Sequence, residues 1–156
     1  MNAVQAGYQH LTKAIAVKPG YGEAHSNLGV LLEATGRPDE AFDHYRKALE
    51  SRPDNVAAHA NLARLLMKRG RPDRALDHLE HLQRLQPENP VVLANLAAAY
   101  AADGQASRAV RIARDALQRA QAAKNEALAR QVAAMLRDLE QQEQGPSSSG
   151  GGSALP

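Results

Sequence analysis

Asn27, Asn61 and Asn95 recur at a spacing of thirty-four residues, and each side chain carries both a hydrogen-bond donor and an acceptor. A column of such carboxamides can bond successive peptide units of an extended chain, with little regard to its sequence. Histidines repeat at the same interval: His25 and His59 form one column, His10, His44 and His78 another. A metal ion would need its ligands to converge to within about 2 Å. Residues one full period apart are separated by a whole helical hairpin and do not converge. His78 and His81, three apart on one helix, could reach a common ion, but no carboxylate pattern completes the set, so no metal site is expected. Arg108, Arg111 and Arg114, with Arg119 and Lys124 beyond, make a basic strip interrupted by Asp115, which reads as a solvated face. No phosphate loop, no nucleophile with its base and no paired carboxylates occur, so neither an enzyme nor a cofactor is expected.

The elements that position these residues follow the same period. Ala24-His25-x-Asn27-Leu28 returns as Ala58-His59-x-Asn61-Leu62 and, more loosely, as Leu93-Ala94-Asn95-Leu96. Gly36, Gly70 and Gly104 share the interval, as do Ala41, Ala75 and Ala109, and Pro19, Pro53 and Pro87. A fixed period of this length marks stacked helical units, none of which can bury its apolar face alone, and such arrays present extended grooves rather than catalytic pockets. Within one unit, Ala24, Leu28, Leu31 and Leu32 lie on one stripe of a first helix that Gly36 ends. Pro38 suits the opening of a second helix, with Asp39 and Glu40 where the helix dipole favours negative charge. Ala41, Tyr45, Ala48 and Leu49 face inward along it until Pro53, and Asn55 can cap the helix that follows.

Composition agrees. The chain has 156 residues, 44% apolar but only 3% aromatic, with no β-branched alternating stretch fit for a strand pair, so it is expected to be all-α. Nineteen basic and seventeen acidic residues leave a net charge of +2, too balanced for a nucleic-acid face. Cysteine is absent, which excludes disulfides and thiolate metal sites. With no signal segment and no apolar run of about 20 residues, no membrane insertion is expected and the cytoplasm is the default location.

Leu28-Gly29, Leu32, Gly36, Ala41, Tyr45, Ala48 and Pro53 together resemble the tetratricopeptide repeat pattern in register, over about residues 3–122. The family's usual tryptophan position holds His25, His59 and Leu93, while Leu82 replaces a small residue and Ala113 a large one. The resemblance implies a right-handed α-solenoid of antiparallel helix pairs, about three and a half units plus a C-terminal capping helix. The expected divisions are a partial repeat over 1–20 (second helix only), repeats over 21–55, 56–89 and 90–122, a capping helix over 123–143 and a flexible tail over 144–156. Leu11, Ile15 and Pro19 keep the register in the partial repeat, and Leu128, Val132, Met135, Leu136 and Leu139 form the apolar side of the cap.

In the family, first helices line a concave face, so the resemblance implies that Asn27, Asn61 and Asn95 point into a peptide-binding groove. This is similar to the asparagine ladder of the O-linked N-acetylglucosamine transferase repeats. Beside them the resemblance implies Glu23, Ser26, Val30 and Glu33 from one unit, then Ala57, Ala60, Arg64 and Met67, then Val91, Ala94, Ala98 and Ala101. That lining grades from mildly acidic through one arginine to alanine and suits small or aliphatic side chains. Ser26, Val30 and Ala60 stand where a basic clamp for acidic chaperone C-termini needs lysine or arginine, so that ligand is not expected. The expected function is a protein-interaction scaffold that takes a protein or peptide partner. Two alternatives stand beside it: the C-terminal recognition domain of a larger enzyme such as a glycosyltransferase, and a scaffold that self-associates weakly through its N-terminal helix.

Overall fold

The computed structural model describes residues 3–144. Among them the chain forms eight α-helices and no strand: α1 (Ala3–Val17), α2 (Gly22–Ala34), α3 (Pro38–Ser51), α4 (Val56–Lys68), α5 (Pro72–Leu85), α6 (Pro90–Ala102), α7 (Ala106–Ala122) and α8 (Glu126–Gln144). The tail expected from residue 144 onward lies outside the described residues except for its first position.

Helix boundaries follow from local chemistry. Asn55, Asn89 and Asn125 precede α4, α6 and α8, and each side-chain oxygen accepts a first-turn N–H, from Ala58 (3.0 Å), Val91 (3.0 Å) and Leu128 (3.2 Å) respectively. Pro38 and Pro72 open α3 and α5, where the N–H they lack would have had no helical partner. Gly36, Gly70 and Gly104 follow α2, α4 and α6 with φ of 76°, 65° and 77°. Their left-handed backbone closes a Schellman turn: the Gly36 N–H donates to the Glu33 carbonyl and the Arg37 N–H to that of Leu32.

The end of α7 repeats this hydrogen-bond pattern, from Lys124 to Gln121 and from Asn125 to Ala120, but the left-handed residue is Lys124, at φ 55°. A side chain in that conformation costs about 1 kcal/mol or slightly more. Lys124→Gly is therefore expected to raise the melting temperature by roughly 2–4 °C. Differential scanning calorimetry checks this, and a lowered melting temperature would show that the turn is unstrained.

The described residues fall into two compact units that divide between Gln86 and Pro87. In the first, α2 pairs with α3 and α4 with α5, while α1 lies against α2 and α3 against α4. Leu28, Leu32, Ala41, Tyr45, Ala48, Ala58, Leu62 and Leu65 form its core, with Tyr8, Leu11 and Ile15 of α1 packed on it. In the second unit α6 pairs with α7, and α8 covers both. Its core is Leu93, Ala94, Ala97, Ala113, Ala116 and Val132.

Side-chain size is traded across each hairpin. Gly29 sits directly against the ring of Tyr45, which is completely buried. One period on, the same two positions hold Ala63 and Leu79, and then Ala97 and Ala113, all buried. As the second-helix residue shrinks, the first-helix residue grows from glycine to alanine. The family's departure at Ala113 thus falls where a first helix no longer carries glycine.

Candidate functional site

In the first unit α2 and α4 lie side by side, and a charged cluster joins them. Arg64 of α4 donates to both carboxylate oxygens of Glu33 on α2, Nη1 to Oε1 at 2.8 Å, while the Tyr45 hydroxyl donates to the same carboxylate at 2.9 Å. Burial would raise the Glu33 carboxyl, but the hydrogen bonds from Arg64 and Tyr45 and the charges of Arg64 and Lys68 outweigh it and hold its pKa below the ordinary 4.5. The bond to Glu33 raises the Arg64 pKa. Burial, then the Glu33 carboxylate, push the Tyr45 phenol well above its usual range. All three groups keep their ordinary charge states at neutral pH. Arg64 also reaches Asn61 Oδ1 at 3.3 Å, which turns the Asn61 amide so that its NH₂ is left to donate elsewhere. Glu23 accepts from Arg52 and, at 3.3 Å, from the Tyr21 hydroxyl.

The acidic groups read from the sequence at this face are therefore matched by cations. Around them Asn27, Ala57 and Ala60 are exposed, Val30 is 50% exposed, and Asn61 and Met67 are half-buried. In the second unit, α6 exposes Asn95 and Val91, with Ala98 and Ala101 half-buried.

Two of the residues expected to line the groove do not. Ser26 is 4% exposed and Ala94 is 7% exposed. Ala94 belongs to the core of the second unit, where Val132 of α8 joins the same cluster. Ser26 lies one helical turn from each of Gly22 and Gly29, both buried, and so falls on the packed stripe of α2 rather than beside it.

The histidine columns pair across each hairpin. His25 Nδ1 is 2.8 Å from His44 Nδ1, and His59 Nδ1 is 3.0 Å from His78 Nδ1. The other nitrogen of each first-helix histidine lies on a carbonyl, His25 Nε2 on Pro19 at 2.9 Å and His59 Nε2 on Pro53 at 2.7 Å. A carbonyl only accepts, so Nε2 must carry a proton. Neutral His25 and His59 then offer Nδ1 lone pairs, and His44 and His78 donate from Nδ1. The sequence carries a signal for this that the thirty-four-residue columns hide: His25 to His44 and His59 to His78 are both nineteen apart. His81 stacks on His59 with ring centroids 4.3 Å apart and bonds Asp54 at 2.9 Å. Among the described residues no group of three or more acidic or histidine side chains is placed to hold a metal ion.

Burial, then the neighbouring His25, lowers the pKa of His44, and burial, then His59, lowers that of His78. Burial also lowers the pKa of His59, against the opposing pull of the Pro53 carbonyl. The basic strip of α7 is largely spoken for. Arg114 pairs with Glu140 at 2.7 Å, Arg119 with Asp115 and Glu88, and Arg108 lies over the Tyr100 ring. No helix among the described residues is long and apolar enough to cross a membrane.

Comparison with known proteins agrees with this architecture. Two family profiles, both described as tetratricopeptide repeat, match residues 32–85 and 66–136 in one case and 6–56 in the other. Among solved structures, MamA (residues 41 to the end) from Desulfovibrio magneticus RS-1 superimposes with a TM-score of 0.69 at 17% identity, over 92% of this chain and 89% of that one. A further MamA crystal structure gives 0.68 at 19% identity, over 76% and 64%. MamA MSR-1 gives 0.66 at 24% identity, over 78% and 70%. These likenesses show a shared fold. No curated protein matches the sequence.

Proposed function

Because the chain belongs to the tetratricopeptide repeat family, and is thereby a protein–protein interaction scaffold, we propose that its first unit captures an extended, uncharged peptide segment on the face formed by α2 and α4. The observation that carries this reading is the arrangement of polar groups there. Glu33 and Glu23 are neutralised by Arg64 and Arg52, while Asn27 stays exposed and Asn61 is half-buried, its carbonyl oxygen already bonded. What remains for a partner is amide chemistry between small apolar surfaces at Val30, Ala57 and Ala60. Carboxamides pair with backbone N–H and C=O groups, and alanine leaves room for a main chain to come close. The reading is non-catalytic, and the partner is recognised mainly through its main chain.

The test is a peptide array probed with the full chain, followed by titration of a captured peptide against Asn27→Ala/Asn61→Ala. Each net hydrogen bond lost is worth about 0.5–1.5 kcal/mol, so together they are expected to weaken Kd roughly five- to 150-fold. Unchanged affinity with unchanged helicity would remove these asparagines from recognition.

A further inference from the structure

We propose that α8 of one copy and α1 of the next complete a tetratricopeptide repeat between them, joining copies head to tail. The inference rests on register and does not depend on the peptide-binding face. First helices start at Gly22, Val56 and Pro90, and α8 starts at Glu126, two residues beyond the thirty-four-residue period because α7 is a longer helix. The capping asparagine shifts with it, from Asn89 to Asn125. In that register Val132, Ala133 and Leu136 of α8 stand where α2 has Leu28, Gly29 and Leu32. Thus α8 has the residue pattern of a first helix, including the small residue that admits a second helix.

Helix α1 has the complementary pattern. Gly7, Leu11 and Ala14 stand where α3 has Ala41, Tyr45 and Ala48. In α3 those three are fully buried against α2, whereas all three on α1 are half-buried. On α8, Ala133 and Leu136 are likewise half-buried where Gly29 and Leu32 are buried. The sizes also match. Leu11 opposite Ala133 is the combination that the chain already uses at Leu79 and Ala63.

Charge follows the same correspondence. Lys18 occupies the position of Arg52, which bonds Glu23 near the start of α2, and Glu126 begins α8 next to the position equivalent to Glu23. The sequence of α1 contains no acidic residue and carries His10 and Lys13 on its exposed side. A contact between two different faces of the same chain is heterologous, so it propagates into rings or filaments instead of stopping at a dimer.

Sedimentation velocity of the full chain across a concentration series tests this, with Ala14→Arg blocking the α1 face and Ala133→Arg the α8 face. Neither alanine is in a core cluster, and circular dichroism establishes that each variant is folded. The expected result is concentration-dependent assembly of the unsubstituted chain, monomers for each variant alone, and a 1:1 dimer when the two variants are mixed, since each then supplies one intact face. A second pair works through surface charge alone: Lys18→Glu and Glu126→Lys should each weaken assembly several-fold, and the chain carrying both should regain it. The proposal is overturned by an unsubstituted chain that stays monomeric at every concentration. It is equally overturned by Ala133→Arg assembling like the unsubstituted chain, which would mean that α1 docks elsewhere, or by variants that remain monomeric when mixed.

Discussion

Gly29→Ala is expected to destabilise the first unit by about 1–3 kcal/mol, although it adds a single methyl group to a helix that would otherwise welcome it. A Cβ at residue 29 would lie 2.5 Å from Cε1 of Tyr45 and 2.8 Å from both Cδ1 and Cζ. The ring has little freedom to retreat, because it is completely buried and its hydroxyl is anchored on Glu33, itself clamped by Arg64. Relief comes only by parting α2 from α3 or by breaking that hydrogen bond. The substitution should become much milder in a Tyr45→Leu background, because Ala63 and Leu79 coexist at the equivalent places. Tyr45→Leu alone leaves a cavity and takes one hydrogen bond from the Glu33 carboxylate, which Arg64 still holds, so the single changes should sum to more than the double. A coupling of about 1–2 kcal/mol is expected from urea unfolding of the four proteins in this cycle. Equal cost of Gly29→Ala in both backgrounds would show that the ring does not set the helix spacing.

Much of this fold was legible because it depends on local rules. The Schellman glycines, the proline starts and the asparagine caps act within a few residues, and the thirty-four-residue interval repeats them. The family resemblance rested on Gly36 and Pro53 together with Leu28-Gly29, Leu32, Ala41, Tyr45 and Ala48, and the chain belongs to that family. What stayed hidden depends on how neighbouring helices cross. Glu33 and Arg64 are thirty-one residues apart and meet only because α2 and α4 lie flank to flank. The face of Ser26 is settled by what packs on α2, and that of Ala94 by the arrival of α8, neither of which helical periodicity can report. The end of α7 was also silent, since Lys124 takes a conformation that glycine marks elsewhere. The histidine pairs were missed because they run across a hairpin, whereas the repeats draw attention along the array.

Those histidine pairs should make the first unit lose stability as pH falls below the ordinary histidine value of 6.5. The folded pKa values of His44, His59 and His78 all lie below their unfolded values. Above 6.5 both states are neutral at these residues and their contribution is fully present. Below it the unfolded chain takes up protons that the folded chain resists, so unfolding becomes easier until the folded groups titrate as well. The geometry explains the resistance. In the neutral pair the Nδ1–Nδ1 contact already holds a proton, donated by His44 or His78, so an added proton must go to Nε2 of that second-helix ring and bring a charge into a half-buried site. Around His44 the charges of Lys47, Asp43 and Glu40 act in opposite directions, as do those of Asp77 and His81 at His78 and of Asp54, Arg84 and His81 at His59. Burial is therefore left as the leading cause at each. Denaturant midpoints are expected to fall steadily between pH 6.5 and 5. Replacing His44 and His78 by glutamine, which can still donate to the partner Nδ1, should flatten that slope without abolishing it, because His59 remains. An identical slope in the substituted chain would place the proton uptake elsewhere and leave the pairs with a purely structural part.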